Sequence, residues 1–516
     1  MPRTHETVPA REHTTWRRRS GFAVTASLFL LGAAACRPST GPGEQASSEA
    51  GTGRTGAVES SGQPVADASG DWTRFRGPNG SGVIDVSGLP TEFGPDTNVV
   101  WKTPLPFGHS SPIIVGDRIY VTGSEGDALL TLAVDAERGE IVWQRDAKRA
   151  FDAAMYKEND ASSPTPASDG ENVFVFFSEL GLLSYDREGN ERWRVELGPF
   201  DNFYGMAASP VIAGDLVLLL CDQVEGSFFL ALDKNTGEQR WRAERPGRIE
   251  SYTTPVLYPA DVPTSVLVFG SGWIDAYALS DGAHQWEMPG VGEGPVASPV
   301  VAGSMMVVTT PNHVEEPFPT FEALLATADT DGDERMSATE FSVVPGFGEH
   351  FGWTDRDSDG LLTAEEYEAL VAMAEGSTYG VIGISLPDDG SSRAGQIVWT
   401  HEQSLPYIPT PLVYDGVLYL VRDGGIVQSL DPATGEVFKR GRTSRAAGSV
   451  FSSPVAADGK IIIASLEGEI AVLQAGPQWE VMAVSEIDEP IYSSPALADQ
   501  RVYVRTPTSL YAFGER

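Results

Sequence analysis

The chain has 516 residues, and its content of 41% hydrophobic and 9% aromatic residues is enough for a large packed core. Its 55 glycines and 36 prolines indicate many turns and few long helices, which favours a β-rich architecture. The formal net charge of −36 would repel phosphate backbones and anionic lipid headgroups. Charge therefore argues against nucleic-acid binding and general membrane-surface binding, and favours cations as partners.

The first 35 residues have the pattern of an export signal. Three arginines, Arg17 to Arg19, precede an apolar stretch at residues 21–35 that is too short to span a bilayer. Residues 31–36, LGAAAC, resemble a bacterial lipobox, in which the cysteine is diacylated and becomes the new N-terminus. We therefore predict lipidation at Cys36 and a location in the bacterial cell envelope. Plain secretion with cleavage near Ala35 is the alternative.

Residues 36–70 consist mostly of Ser, Gly, Thr, Ala, Glu and Pro, and they contain almost no large apolar side chain. Such a segment buries too little surface to fold, so we predict a disordered linker between the lipid and a globular body. The other cysteine, Cys221, follows four apolar residues. It is predicted to be a buried, unreactive thiol in a fold held together without disulfides.

From residue 71 onward a unit of sequence recurs. Each copy has small polar residues before a proline, two short strands, a Leu-x-x-x-Asp segment, a turn such as Thr-Gly-Glu, and an aromatic residue. The prolines are 41 to 52 residues apart except for one interval of 112, and a propeller blade needs roughly 40 to 50 residues. The spacing predicts an all-β, eight-bladed β-propeller, at residues 71–311 and 379–516, with an insertion at 312–378 inside blade five. The prolines are Pro112, Pro164, Pro210, Pro255, Pro299, Pro411, Pro454 and Pro495.

One aromatic residue near the end of each unit is predicted to pack between adjacent blades, and not to form a cofactor or sugar ladder. Three aspartates before Gly-Glu turns, Asp135, Asp233 and Asp431, are predicted to shape those turns and not to catalyse. The aromatic residues are Trp143, Trp193, Trp241, Trp286, Trp399, Phe438 and Trp479.

The last unit stops one strand short, at residues 511–513. Residues 98–102 lie before the first proline and have the sequence of a blade's outer strand. We predict that this N-terminal strand completes blade eight, because ring closure by both termini leaves no open sheet edge.

The turn segments ALDKNTGEQRW at residues 231–241 and SLDPATGE at 429–436 resemble the PQQ-like repeat family. The segments FRGPNGSG at residues 75–82 and WKTPLP at 101–106 resemble exported bacterial members of that family. This resemblance implies a propeller and leaves the activity open.

The insertion, residues 312–378, contains sixteen acidic and two basic residues, a net charge of −14. Its residues 355–366 match the EF-hand calcium loop, in which Gly360 allows the sharp turn. Leu362 is predicted to pair with its counterpart in a second loop. The predicted ligands are the side chains of Asp355, Asp357, Asp359, Thr363 and Glu366 and the carbonyl oxygen of Leu361.

The second loop, residues 329–340, has Glu334 where the motif expects glycine. Glu334 must adopt a positive φ or distort the loop, at a cost of about 1 kcal/mol, so residues 355–366 should bind first. Two acidic surface loops without metal are the alternative. The predicted ligands here are Asp329, Asp331, Asp333, the carbonyl oxygen of Arg335, Ser337 and Glu340.

Apolar residues at helical spacing flank both loops, with Phe321 and Leu324 before the first and Tyr367 and Leu370 after the second. Only residues 341–354 join the loops, and their prolines and glycines require short intervening helices. The all-oxygen ligand set favours Ca²⁺ over transition metals, and the bidentate glutamate disfavours Mg²⁺. We predict a structural or constitutive calcium site.

Two functions are compatible with this sequence. The first is a monomeric, lipid-anchored, non-catalytic propeller that scaffolds an envelope assembly or binds envelope protein partners. It resembles the lipoprotein subunits of outer-membrane barrel assembly machineries, which have no counterpart of the insertion.

The second function is a PQQ-dependent dehydrogenase. Enzymes of that kind resemble this fold but usually carry a vicinal disulfide beside the quinone and hold calcium within the propeller. This chain has no adjacent cysteines, and its identifiable calcium ligands lie in an insertion. The resemblance therefore disfavours PQQ as a cofactor, and we assign no catalytic residue.

Several large side chains precede the prolines and are placed to ring the central funnel of the propeller. For most of them we predict packing between blades. These residues are His109, Tyr252, Tyr407, Phe451 and Tyr492.

Overall fold

The computed structural model describes residues 70–153, 155–310, 318–342, 351–355, 359–387, 394–444 and 448–515. They all belong to one of the chain's two compact units, residues 60–516. The predicted signal at residues 1–35, the predicted lipidation site Cys36 and the linker up to residue 69 lie outside the described residues. Within the described part, no helix has the length and apolar character needed to cross a membrane.

The unit is built from eight antiparallel sheets of four strands, each forming one blade. This confirms the eight-bladed β-propeller. An N-terminal strand, β1, at Val99–Pro104 precedes blade one. Blade one has β2 (Ile113–Val115), β3 (Arg118–Glu125), β4 (Ala128–Asp135) and β5 (Ile141–Lys148). Blade two has β6 (Ala167–Ser168), β7 (Asn172–Phe177), β8 (Gly181–Asp186) and β9 (Glu191–Glu196).

The next two blades repeat the same order. Blade three has β10 (Val211–Ala213), β11 (Leu216–Cys221), β12 (Phe228–Asp233) and β13 (Gln239–Glu244). Blade four has β14 (Val256–Tyr258), β15 (Ser265–Gly270), β16 (Trp273–Ala278) and β17 (His284–Pro289). Cys221 is fully buried in β11, as predicted, and burial raises the pKa of its thiol.

Blade five is split by the helical insertion between its second and third strands. It begins with β18 (Val300–Ala302) and β19 (Met305–Thr310) and ends with β22 (Gly380–Ser385) and β23 (Gln396–His401). The insertion has α1 (Phe321–Ala328), β20 (Met336–Ser337), α2 (Ala338–Phe341), α3 (Phe351–Thr354), β21 (Leu361–Leu362) and α4 (Ala364–Glu375).

The last three blades complete the ring. Blade six has β24 (Leu412–Tyr414), β25 (Val417–Arg422), β26 (Ile426–Leu430) and β27 (Val437–Arg442). Blade seven has β28 (Val455–Ala457), β29 (Lys460–Ala464), β30 (Glu469–Gln474) and β31 (Glu480–Glu486). Blade eight has β32 (Ala496–Ala498), β33 (Arg501–Arg505), β34 (Ser509–Phe513) and β1.

Blade eight is closed by the N-terminal strand, as predicted. Trp101 pairs with Ala512 and Thr103 pairs with Leu510 across β1 and β34. The middle strands of a blade are buried on both faces, as in β7, because neighbouring blades cover both faces. The outermost strands, such as β9, alternate buried and exposed residues because they form the rim.

Five tryptophans on outermost strands each join their blade to the next one. The indole N–H of Trp193 donates to the carbonyl oxygen of Lys234 in blade three, at 3.0 Å. The ring lies against Gly237, where a Cβ would come within 2.7 Å of it, so only glycine fits. Equivalent contacts are made by Trp101, Trp143, Trp241 and Trp399.

The predicted roles of the turn aspartates are also confirmed. Asp233 Oδ1 accepts hydrogen bonds from the backbone N–H groups of Asn235 and Thr236, which builds the turn that receives Trp193. Asp135 and Asp431 make the same two contacts in their own blades.

Two of the predictions of blade-closing aromatics are wrong. In blade six, Lys439 and not Phe438 lies opposite Ser429, at the position where tryptophan is found in other blades. Its counterpart in blade seven is Ala483, which faces Val472, and not Trp479. Trp479 lies before β31 and stacks under the Lys439 ammonium, 4.5 Å from the ring centroid. A lysine–tryptophan contact therefore replaces the tryptophan–glycine lock between blades six and seven.

A closed ring of eight hydrogen bonds surrounds the central channel. In each blade the residue before the proline donates its backbone N–H to the hydroxyl oxygen of the equivalent residue in the next blade, over 2.9–3.1 Å. The ring residues, all buried, are Ser111, Thr165, Ser209, Thr254, Ser298, Thr410, Ser453 and Ser494. In blade two the ring residue is Thr165, so the repeat's proline is Pro166 and the prediction of Pro164 was wrong.

The segment between residues 72 and 93 crosses one face of the ring and joins distant blades. Trp72 bridges to Ile114 in blade one, and Val83 bridges to Ala456 in blade seven. The fully buried guanidinium of Arg76 donates to the carbonyl oxygens of Thr410 and Pro411, at 2.9 and 3.0 Å. The family-like FRGPNGSG segment therefore has a structural role that the sequence did not reveal.

The hydroxyl ring gives a stability prediction. Thr254→Val keeps the side-chain shape but leaves the buried N–H of Ser209 without an acceptor, which should cost about 1–3 kcal/mol. Thr254→Ser keeps the acceptor and serves as the matched control. The urea midpoints of the two variants should differ clearly, and equal midpoints would show that the ring contributes no stability.

Glu489 binds side chains of both the N-terminal strand β1 and the last strand β34 in blade eight. Its Oε1 accepts hydrogen bonds from Lys102 Nζ at 2.8 Å and from the Tyr511 hydroxyl at 2.9 Å, and its Oε2 accepts one from the Thr508 hydroxyl at 3.1 Å. Burial opposes ionisation, but the hydrogen bonds from Lys102, Thr506 and Tyr511 outweigh it and lower the pKa of Glu489 to about 2.

This lowered pKa sets a pH dependence. The stabilisation by the Glu489 carboxylate should be complete above its ordinary pKa of 4.5 and should be lost as the pH falls toward about 2. The midpoint difference between wild type and Glu489→Gln should therefore shrink through that window. The exposed Glu480→Gln is the control, and a difference that stays constant with pH would contradict the assignment.

Candidate functional site

Two adjoining cavities occupy the centre of the propeller. One, of about 170 Å³, is bounded by ring hydroxyls and by Phe75 from the crossing segment. The other, of about 390 Å³, shares Glu158, Tyr252 and Phe451 with the first. Side chains therefore enclose two connected spaces within the central channel.

The large side chains that precede the prolines line these cavities. His109, Tyr252, Phe451 and Tyr492 border the smaller cavity, and Tyr407 borders the larger one. Packing between neighbouring blades, predicted for most of them, is also present, because Tyr492 contacts the rings of both His109 and Phe451. The ring residues beneath them are small, so the channel has room for large side chains.

His109 is held in a fixed orientation at the cavity wall. Its Nδ1 lies 3.1 Å from Asp160 Oδ2, and its ring stacks on Tyr492 with centroids 4.2 Å apart. Burial lowers the pKa of His109 despite the opposing effect of Asp160. The imidazole is therefore neutral near pH 7.

The lining of the cavities does not suit PQQ. PQQ carries three carboxylates, which need cationic partners. Among the described residues that border the two cavities there is no lysine or arginine, and Glu158 adds a negative charge. The donor set therefore does not fit the quinone.

The insertion forms two helix–loop–helix units with a shared core. The two loops pair through Met336 and Leu362, which confirms the predicted pairing of Leu362. Both side chains are fully buried. The helical stripes are also confirmed, with this core composed of Phe321, Leu324, Ala328, Met336, Phe341, Leu362 and Tyr367. The intervening helices, α2 and α3, have four residues each, as short as the sequence required.

The structure gathers three predicted ligands of the first loop. Carboxylate oxygens of Asp329, Asp331 and Asp333 lie within 4.8 Å of one another. Asp329 Oδ2 accepts a hydrogen bond from the backbone N–H of Glu334, at 3.2 Å. Glu334 has a φ of 63°, so it adopts the positive φ that the sequence required of it.

Ser337 and Glu340 close the first loop as a capping box at the start of α2. Glu340 Oε2 accepts from Ser337 N at 2.9 Å, and Glu340 Oε1 accepts from Thr330 N at 2.8 Å. These backbone hydrogen bonds, first from Ser337 and then from Thr330, lower the pKa of Glu340 to about 2. The carboxylate therefore stays ionised inside the loop. Arg335, whose carbonyl oxygen is a predicted ligand, places its guanidinium 3.9 Å from Asp359 in the other loop.

The second loop repeats this pattern. Asp355, which is buried, accepts a hydrogen bond from the backbone N–H of Gly360 at 2.9 Å. Asp359 accepts from Leu361 N at 2.8 Å. Thr363 and Glu366 form the capping box of α4. The remaining predicted ligand, Asp357, lies outside the described residues.

The insertion is attached to blade four beside its own blade. Val291, after β17, forms a parallel bridge with Thr378, which follows α4. Met373 on α4 lies over Gly272 in blade four. The helix that ends the second loop is therefore fixed to the propeller.

Another group of possible metal ligands, on β16 and β17 of blade four, is an ion-pair network. Asp275, His284 and Glu287 have the spacing of metal ligands. However, the Asp275 carboxylate already accepts hydrogen bonds from Arg245 and Arg248, at 3.1 and 2.8 Å. Burial would raise the pKa of Asp275, but these cations hold it below its ordinary value. We interpret this group as a structural network.

Comparison with known proteins gives the family. The family model described as outer membrane protein assembly factor BamB matches residues 93–220, 203–312 and 389–515, and so leaves out the insertion. A curated relative with that description from Burkholderia pseudomallei (strain K96243) is 25% identical over 205 residues, which are 39% of this chain and 48% of the relative. The chain thus matches about half the length of that relative.

Solved structures share the propeller fold. BamB from Moraxella catarrhalis aligns with a TM-score of 0.51 and 13% identity, over 81% of this chain and 98% of that chain. A europium-containing methanol dehydrogenase aligns with a TM-score of 0.55 and 11% identity, over 86% and 98%. A quinohemoprotein alcohol dehydrogenase from Comamonas testosteroni aligns with a TM-score of 0.54 and 12% identity, over 87% and 82%.

At these identities the structural likeness shows the fold alone, and it includes both assembly factors and dehydrogenases. The sequence match is more specific, because the family model covers more than half of the chain in three segments spread over the propeller. The protein therefore belongs to the family described as outer membrane protein assembly factor BamB.

Proposed function

We propose that this protein is a calcium-binding, non-catalytic scaffold of the bacterial cell envelope, tethered by a lipid on Cys36 and bound to envelope proteins. Membership of the BamB family supports the scaffold role. The poor fit of the central cavities to PQQ argues against the dehydrogenase function of the structurally similar enzymes.

The observation that carries calcium binding is the carboxylate cluster of the first loop and its repetition in the second. Asp329, Asp331 and Asp333 present oxygens within 4.8 Å of one another, and their loop pairs with residues 361–362. Oxygen-only ligands in such a cluster suit Ca²⁺. The remaining proposed ligands are the Arg335 carbonyl oxygen, Ser337 and Glu340, and in the second loop Asp355, Asp357, Asp359, the Leu361 carbonyl oxygen, Thr363 and Glu366.

We expect two unequal sites. The first loop holds Glu334 at a φ of 63°, whereas the second has Gly360 at 84° in the same position. This difference in backbone strain supports the tighter site in residues 355–366.

Calorimetric titration with Ca²⁺ tests this proposal. Wild type should show two binding events, and Glu366→Gln should remove the tighter one because it loses a charged bidentate ligand. Glu340→Gln should remove only the weaker one. Negligible heat for wild type would overturn the metal assignment.

A substitution of Glu334, the residue with the strained backbone, gives a further variant for the same titration. Glu334→Gly relieves about 1 kcal/mol of backbone strain, which corresponds to roughly fivefold tighter binding at the first loop. The second site should be unaffected. An unchanged first site would show that Glu334 does not limit its affinity.

The scaffold and dehydrogenase hypotheses predict opposite results for the binding of PQQ. For a scaffold, crosslinking in the native envelope should capture defined envelope proteins, and protein incubated with Ca²⁺ and PQQ should retain no quinone absorbance. Bound quinone, together with reduction of a dye by the protein in the presence of alcohols or sugars, would contradict the scaffold proposal.

A further inference from the structure

The larger central cavity is an aromatic box. Five rings border its space of about 390 Å³: Tyr156, Tyr204, Tyr252, Tyr407 and Phe451. Neighbouring rings are not stacked. Tyr156 and Tyr204 meet at 89° with centroids 5.1 Å apart, and Tyr204 and Tyr252 meet at 66° with centroids 5.3 Å apart. The ring planes therefore form walls in several directions.

One carboxylate borders the same space. Glu158 Oε2 is buried and has no hydrogen-bond partner among the described residues. Glu158 Oε1 lies 3.0 Å from the Lys157 ammonium, which also lies 5.8 Å from the Tyr156 ring centroid. The Lys157 side chain is 75% exposed, so a positively charged nitrogen already rests at the edge of the box.

Glu158 is the one acidic side chain among the described residues that border the box. The described residues that border the box include no lysine or arginine. Burial, together with the nearby Glu250, raises the pKa of Tyr252, so this phenol stays neutral. The chain as a whole carries a net charge of −36. Aromatic faces and a carboxylate attract cations and repel anions.

We propose that the aromatic box, lined by Tyr156, Tyr204, Tyr252, Tyr407, Phe451 and Glu158, binds a small organic cation with a quaternary ammonium group. A quaternary ammonium has no N–H donors and is held by ring faces and a carboxylate. The one amide among the described residues at the wall, Asn159, already uses its oxygen for Asp160 N and its nitrogen for Tyr204 O, so it is not free to bind a ligand.

Choline is the probe, and calorimetry on the full, calcium-loaded chain is the measurement. The comparison compound is the neutral tert-butyl analogue of choline, in which carbon replaces nitrogen and the shape is kept. Choline should bind saturably, and the neutral analogue should bind at least tenfold more weakly, because the cation–π and carboxylate attractions need the charge.

Variants locate the site. Tyr407 is 44% exposed, so Tyr407→Ala should fold normally and weaken choline binding about fivefold to thirtyfold through the loss of one ring. Phe107→Ala, at a ring that is 47% exposed and borders neither cavity, is the matched control and should bind like wild type. Thermal midpoints of both variants verify folding.

Two further substitutions test how the charges of Glu158 and Lys157 affect choline binding. Glu158→Gln should weaken binding at least threefold, whereas Lys157→Met should strengthen it by freeing Glu158 from a competing ammonium. Equal binding of choline and its neutral analogue would overturn the proposal in favour of a merely apolar pocket. The absence of saturable choline binding, or wild-type affinity in Tyr407→Ala, would overturn it as well.

Discussion

The closed ring of backbone-to-hydroxyl hydrogen bonds is the constraint on which this propeller depends. Each blade turns the free edge of its innermost strand toward the channel, and a buried N–H there must have an acceptor. A Ser or Thr from the next blade supplies it, and the following proline has no N–H to satisfy. Because the eighth residue, Ser494, donates to the first, Ser111, the bonds form a complete circle.

This ring also explains the two candidate sites. Its residues are small, which leaves the channel open for the large side chains just before them, so the cavities form on that face. In an antiparallel blade the end of the second strand lies at the same face as the start of the first. The insertion leaves blade five at the end of β19 and therefore emerges on the cavity face. There Met373 and Thr378 tie it to blade four.

Features with local causes were predictable. Turn aspartates accept hydrogen bonds from backbone N–H groups two and three residues away. Whether Gly360 or Glu334 suits its position in the loop depends on the φ of that residue alone. The aromatic at the end of blade six was mispredicted by one position. Trp241 of blade three lies four residues after its turn glycine, Gly237, and the residue four after Gly435 is Lys439. Adjacent residues of a strand point to opposite faces, so Phe438 does not take the tryptophan position.

By itself the sequence determined the repeat, the eight blades, the closing strand and the two acidic loops, because each follows from spacing along the chain. The tertiary structure alone decided what depends on residues far apart in sequence: the hydroxyl circle, the reach of Arg76 to blade six, and the aromatic box around Glu158. Tyr156 and Tyr407 come from different blades, and only closure of the ring brings them to one cavity. Long-range contacts of this kind leave no periodic signal in the sequence.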